Sequence, residues 1–192
     1  MILGISGGKE DGTTDFLVKA ALEECEKAGF KTEFVNLFNK KIEYCKDCGA
    51  CVKKPECVHD DFMSGFYPKL SEADALIVGS PTYFANVSGR VQTFFERTLP
   101  LRRNGFMLKN KVGAGIAVGG ARNGGQEKVV SAIQSSMLVH GMIVVGDSPP
   151  TAHFGGIGSV KRGTKIEDDG VGVETAKNTG KKVAETLKLI KK

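Results

Sequence analysis

Tryptophan is absent from these 192 residues, and the aromatic residues together make up only 7% of them. No basic stripe carries interleaved aromatics, so nucleic acid is not an expected partner. Long apolar runs are missing as well. None approaches the roughly 18–20 residues that cross a bilayer, so no membrane segment is expected. Met1 leads straight into an apolar stretch with no basic region before it, so no secretory leader is read and a cytoplasmic location is expected. No Ser/His/Asp set or paired-carboxylate arrangement stands out, which leaves hydrolysis without support. Cysteine is sparse, yet four of the five fall within thirteen residues.

What is present fits one α/β domain spanning 1–192, since a chain of this length with 41% hydrophobic residues can build a sizeable core. The 25 glycines cluster where strands are expected to end, so they read as loop chemistry rather than disorder. The net charge is +5, and much of the excess lies at the C-terminus in Lys177, Lys181, Lys182, Lys188, Lys191 and Lys192. These lysines read as a solvated helix face or as a landing patch for an acidic redox partner.

Apolar runs predict strands at Met1–Ser6, Thr32–Leu37, Ala75–Gly79, Lys111–Gly119 and Met142–Val145. Helical periodicity covers Thr13–Ala28, a short piece ending near Ser71, Val87–Leu99, Gly125–His140 and Val173 to the end. Five strands alternating with helices imply a parallel sheet covered on both faces. Two segments stand outside this alternation: a cysteine-rich insertion after strand two, about 39–61, and a glycine-rich loop, Asp147–Gly172. A loop that long without regular structure usually works as a lid, a binding loop or an oligomer contact.

Ligands of open α/β sheets bind beyond the C-terminal strand ends, and three loops there have suitable composition. The first, Ser6 to Thr14, is rich in glycine and opens a helix whose free N–H groups can hold an anion, with hydroxyls on Ser6, Thr13 and Thr14. It has neither the ATP-type phosphate-loop pattern nor G-x-G-x-x-G, so a phosphate monoester fits best; a plain turn with Thr13 as N-cap is the structural alternative. The second, Ser80 to Ser88, sets Tyr83 and Phe84 beside Pro81, Thr82 and Asn86, which suits a planar heteroaromatic ring or a mere cap on the sheet. The third, Gly119 to Gln126, includes Gly120 and Gly124, where backbone can approach a ligand closely. Together the loops form a phosphate-plus-ring pocket, for which FMN is the favoured occupant.

The cysteines follow C-x2-C-x2-C-x5-C: Cys45, Cys48, Cys51 and Cys57. Four-cysteine zinc sites usually use two separated C-x2-C pairs. The compact run suits a 4Fe–4S cube better, with one iron corner per thiolate, and a disulfide framework ranks below both in a reducing compartment. The x5 spacing departs from the ferredoxin run, so Cys57 is the least secure ligand. Lys53 and Lys54 are expected to offset the cluster's negative charge. Cys25 reads as core, His140 as a helix cap, and His59 as a loop histidine or a substitute ligand. His153 sits in the long loop, from which it could reach a flavin.

The three loops resemble those of the NADPH-dependent FMN reductase family, whose fold is flavodoxin-like. With the cysteine run, nearly the whole chain is similar to the iron–sulfur flavoproteins of anaerobic archaea and bacteria. The resemblance implies FMN, a 4Fe–4S cluster and a homodimer or homotetramer in which the two cofactors exchange electrons, across a subunit interface in one arrangement. By motif match Ser6, Thr13 and Thr14 face the phosphate. Pro81, Thr82, Tyr83, Phe84 and Asn86 line the ring, Gly120 and Gly124 come close to it, and Lys9 stands where such reductases place a basic residue. The expected role is electron transfer between cluster and FMN, fed by an acidic ferredoxin-like donor. The alternatives are an NAD(P)H-dependent FMN or quinone reductase with a structural cysteine metal site, and a metal-stabilised interaction module without turnover. Cluster and flavin are expected at the same sheet edge.

Overall fold

The computed structural model describes residues 1–191. Its core is a parallel sheet built from β1 (Ile2–Ser6), β2 (Thr32–Asn36), β3 (Ala75–Pro81), β4 (Val112–Gly119) and β5 (Ile143–Val145), in the order β2-β1-β3-β4-β5. The chain steps outward from β1 to β2 and then crosses to β3 on the other side. The switch point therefore lies between β1 and β3, where open α/β sheets place their ligands.

Alternation along each strand divides the core into two layers. Ile2, Ile77, Val112, Ala114 and Ile116 face α1 (Thr13–Lys27) and the C-terminal helix α6 (Gly170–Ile190). Leu3, Ile5, Leu76, Val78 and Ala117 face α2 (Phe62–Glu72), α3 (Gly89–Arg97) and α5 (Gln126–Val139). Helices α1 and α6 approach so closely that the carbonyl oxygen of Ala21 occupies the place a side chain at Gly180 would need. There the Cys25 thiol donates to the Gly180 carbonyl at 3.3 Å. Burial, with Glu26 and Glu24 nearby, pushes that thiol up to about 12, so Cys25 is an inert core group.

The α/β sheet with its cysteine insertion after strand two matches the expected architecture, with three additions. First, the long loop is not structureless. It contains β6 (Gly156–Ser159), which continues the fifth sheet position by pairing with Ile116–Gly119 above the point where β5 leaves β4. It also contains a 3-10 turn at Ile166–Asp168, and α6 begins at Gly170 with Asp169 as its N-cap. Second, the helix expected over Val87–Leu99 stops at Arg97, and a separate short helix α4 (Leu99–Arg103) follows with Pro100 in its first turn. Third, α2 opens on a capping box in which Asp61 accepts from Met63 N at 3.0 Å and Ser64 reaches back to Asp61 N.

His140 is the C-cap of α5 as expected, its N–H bonding Met137 O at 3.0 Å, while its ring turns sideways into the α3–α4 junction. The Thr98 hydroxyl donates to Phe95 O at 2.6 Å, so at 2.8 Å His140 Nε2 must be the donor to Thr98 Oγ1. Nδ1 is left bare and buried. Burial, reinforced by Arg102, pushes His140 down to about 4 from its ordinary 6.5. The unfolded chain thus takes up a proton that the folded chain refuses. The stability contributed by the neutral ring is complete above about pH 6.5, falls as pH drops toward 4 and is gone below it, up to about 2 to 3 kcal/mol. Urea unfolding between pH 7 and pH 4 should show this slope, and His140→Gln should flatten it; identical slopes in both proteins would exclude His140 as the source.

Candidate cofactor loops and cysteine centre

The first loop is held from beneath. Gly7 N donates to Gly79 O at 2.9 Å, extending the β1–β3 ladder by one bond, and Ser6 Oγ accepts from Gly8 N at 3.2 Å. Asp15, in the first turn of α1, accepts from Asp11 N at 2.9 Å and from Asn36 Nδ2 at 2.8 and 2.9 Å, while Asn36 also donates to Gly8 O at 3.2 Å. A carboxylate from α1 and an amide from β2 thereby fix the backbone between them. Thr13 is not the N-cap. Gly12 is, and it offers no side-chain acceptor, so the first amides of α1 stay open to an anion. Thr14 is buried under the loop, Thr13 is half-buried and Lys9 is exposed.

The second loop is a tight two-residue turn. Tyr83 and Asn86 exchange backbone hydrogen bonds at 3.0 Å in both directions, with Phe84 and Ala85 at φ of 52° and 57° between them. Left-handed backbone at two side-chain-bearing residues stores strain, which is a feature of ligand loops. Phe84 is fully exposed at the tip and Tyr83 more than half exposed. Thr82 N bonds Val118 O at 2.7 Å, but Thr82 Oγ1 is buried without a partner. The turn is anchored by Ser80 Oγ, which accepts from Ser88 N at 2.9 Å, and by Ser88 Oγ, which donates to Gly7 O at 3.3 Å and so joins the first two loops.

The third loop is pinned by Gln126, whose Nε2 donates to Ala121 O at 2.6 Å and whose Oε1 accepts from Gly124 N at 2.8 Å. Gly125, at φ 96°, packs against Ala85, and a Cβ there would come within 2.6 Å of the alanine's own. All three loops therefore touch at the C-terminal end of the sheet. Gly120 is exposed with open space at its Cα. Open amides at one end, an orphaned hydroxyl and open glycine backbone at the other are what a phosphorylated planar ring requires, and the residues fit FMN. His153 is not brought there. It sits at mid-sheet on the β5 edge, beside Gly146, and its backbone N–H is tied to the buried Asp147.

The cysteine segment departs from the sheet edge expected for it. It starts at the flavin end of β2 but runs down the outer side of α3, with Arg90 over the Phe38 ring at 4.4 Å. It ends against the far end of that helix and against α4. Cys45, Cys48, Cys51 and Cys57 all line one small cavity there, together with Arg97, Leu99, Pro100 and Arg103. Among the described residues, no three His, Cys, Asp or Glu side chains converge tightly enough to hold a single metal ion. All four cysteines nevertheless line one shared space, and a compact set of four thiolates is the donor set an iron–sulfur cluster requires. Arg103 Nη1 donates to Cys51 Sγ at 3.2 Å, and Asn104 Nδ2 donates to Cys51 O at 2.8 Å. Lys53 and Lys54 are exposed outside the cavity, Lys54 being paired with Glu56 at 2.8 Å. His59 is half-buried in the cavity wall, its Nε2 without a partner.

Sequence reasoning missed Asp15 and Asn36 as loop supports, and Arg97, Arg103 and Asn104 beside the thiols. Two arginines, one before and one at the end of the short helix α4, carry no local signature of that role.

A doubly covered parallel sheet in the order β2-β1-β3-β4-β5 defines the flavodoxin-like fold. Solved structures agree: a WrbA-like flavodoxin from Agrobacterium tumefaciens superposes with a TM-score of 0.69 at 17% identity, over 98% of this chain and 97% of that one. An archaeal flavodoxin gives 0.62 at 18% identity, over 98% and 99%. The sequence profile of the NADPH-dependent FMN reductases matches residues 1–155, and the chain belongs to that family. Its relatives include an iron–sulfur flavoprotein of Methanocaldococcus jannaschii, 45% identical over 100% of this chain and 99% of that one. Another, from Methanosarcina thermophila, is 44% identical over 100% and 97%.

Proposed function

We propose that this chain is an iron–sulfur flavoprotein that passes electrons between FMN and a 4Fe–4S cluster. FMN would lie on the three loops, and Cys45, Cys48, Cys51 and Cys57 would hold the cluster. The observation that carries the reading is the single cavity shared by all four cysteines, in a chain whose relatives at 44–45% identity are named iron–sulfur flavoproteins. The cluster supplies one-electron steps and the flavin one- or two-electron steps. The protein would hold the phosphate on α1 amides, frame the ring with backbone from the second and third loops, and set Arg97 and Arg103 beside the cysteines.

On this reading the two sites would lie at opposite ends of α3. Its nine residues, at 1.5 Å each, span about 13 Å. Exchange between copies in a homodimer or homotetramer would shorten that path. The exposed Tyr44, Val52 and Val58 beside the cysteines and Phe84 on the second loop are apolar surface such a contact would cover. The basic C-terminal lysines suit an acidic ferredoxin-like donor.

Anaerobic purification followed by a visible spectrum, flavin identification and iron and zinc analysis tests the reading. The expected result is FMN with about four irons per chain and a broad absorption bleached by dithionite. FMN with stoichiometric zinc and no iron would sink it. The family profile favours one alternative, reduction of the flavin by NAD(P)H. Rapid bleaching on mixing with NADPH or NADH in a stopped-flow experiment would establish it, and slow or absent bleaching would leave the ferredoxin-type donor.

A further inference from the structure

We propose that Arg103, with Arg97 behind it, sets the reduction potential of the cysteine-bound cluster by placing guanidinium N–H groups on the ligand sulfurs. This rests on the cluster assignment made above. The contact is direct at one corner, where Arg103 Nη1 lies 3.2 Å from Cys51 Sγ. Asn104 holds the Cys51 carbonyl from the next position at 2.8 Å, so the end of α4 grips this cysteine by both side chain and backbone. Asp47 lies 3.8 Å from the other end of the Arg103 guanidinium and steadies the fork. The second arginine is fully buried. Arg97 uses both Nη atoms on Asp61 and Glu43 O, yet its Nε is buried, has no partner and belongs to a side chain lining the same cavity.

Hydrogen bonds and positive charge at cluster sulfurs favour the extra negative charge of the reduced state and raise the potential. Lys53 and Lys54, beside the cysteines in sequence, do not line the cavity. Lys46 lines it together with the acidic Asp47 and Glu96, but the charge that is hydrogen-bonded to a ligand sulfur comes from Arg103, 52 positions after Cys51. A cluster raised in this way is easier to reduce and gives up its electron to the flavin less readily, so the two arginines set the balance between cofactors.

The measurement is the cluster midpoint potential, by EPR-monitored redox titration of the anaerobically purified protein. Arg103→Gln removes the charge and the fork. It should shift the reduced-to-oxidised ratio at a fixed potential about tenfold toward oxidised, which is about 59 mV for one electron. Arg103→Lys keeps the charge without the planar fork and should shift it in the same direction by less. Lys53→Gln should leave the potential where it was. A wild-type protein with no reducible cluster would overturn both this proposal and the function above. A wild-type cluster with an unchanged potential in Arg103→Gln, or an equal shift in Lys53→Gln, would overturn this proposal alone. If Arg103→Gln does not retain iron, Arg103→Lys decides, and an unchanged potential there overturns the proposal.

Discussion

Arg97→Met is expected to destabilise the folded protein by about 3–5 kcal/mol, the range for breaking a buried ion pair from one side. The side chains of Arg97 and Asp61 are each 1% exposed and pair through two bonds of 2.6 and 3.0 Å. The cost arises because the Asp61 carboxylate would remain buried without its cation. The pair also does a particular job: Arg97 donates to Glu43 O at 2.7 Å, and Asp61 accepts from Glu43 N at 2.9 Å. Glu43 precedes Cys45 and Asp61 follows Cys57, so the ion pair closes the neck of the cysteine loop. Tyr67 OH holds the Arg97 carbonyl at 2.9 Å from the other side.

Chemical denaturation of the apoprotein should show the loss, and the double variant Arg97→Met/Asp61→Leu should recover much of it, because no charge is then stranded. If the double variant is as unstable as the single one, the ion pair is not the cause. Burial alone would raise Asp61, but the Arg97 hydrogen bonds and the Glu43 and Met63 amides outweigh it and hold the carboxyl below its usual value. Its contribution is therefore present above about pH 4 and lost as pH falls through the lowered folded-state value.

Replacing any one of the four cysteines with serine is expected to abolish the iron–sulfur absorption while the flavin stays bound. The first half follows from chemistry: a serine corner binds iron more weakly than a thiolate, and the compact cube has one protein ligand per iron. The second half follows from placement. The flavin loops are built on Ser6, Asp15, Asn36, Ser80, Ser88 and Gln126, none of which touches the cysteine cavity. Iron analysis and flavin fluorescence after denaturation, run on each variant, separate the two outcomes. Cys57→Ser is the most informative, since its spacing departs from the ferredoxin run while its position lines the same cavity. Retention of a full cluster in Cys57→Ser would pass the fourth corner to another group, and His59 is the neighbour with an unpartnered ring nitrogen. Loss of flavin along with iron would show that the two sites are not independent.

The sheet and its ligand loops were readable because their signals are local. Apolar runs such as Ala75–Gly79 end in glycine, serine and proline, and a buried strand followed by such residues has few other structures open to it. β6 escaped because Gly-Ile-Gly-Ser has no apolar run. Its glycines are there because a Cβ at Gly156 would meet Ile116 and Ala176, and one at Gly158 would meet Leu17. The split between α3 and α4 was foreshadowed only by Pro100. The destination of the cysteine segment was not legible at all, since it is decided by Arg97 reaching back 36 positions to Asp61. The spacing of the cysteines announces what they can bind, whereas a distant buried charge decides where they bind it.

The fifth sheet position, shared by two short strands, also bears on solubility. Between β5 and β6 the chain leaves the sheet for ten residues and returns, so that border never presents a continuous row of unpaired amides to another molecule. The opposite border, β2, is one uninterrupted strand of five residues, guarded by the Glu33–Lys69 pair and by Lys19 over Phe34. Strand-to-strand aggregation of the folded protein therefore has one available border, and it is the one that carries charge.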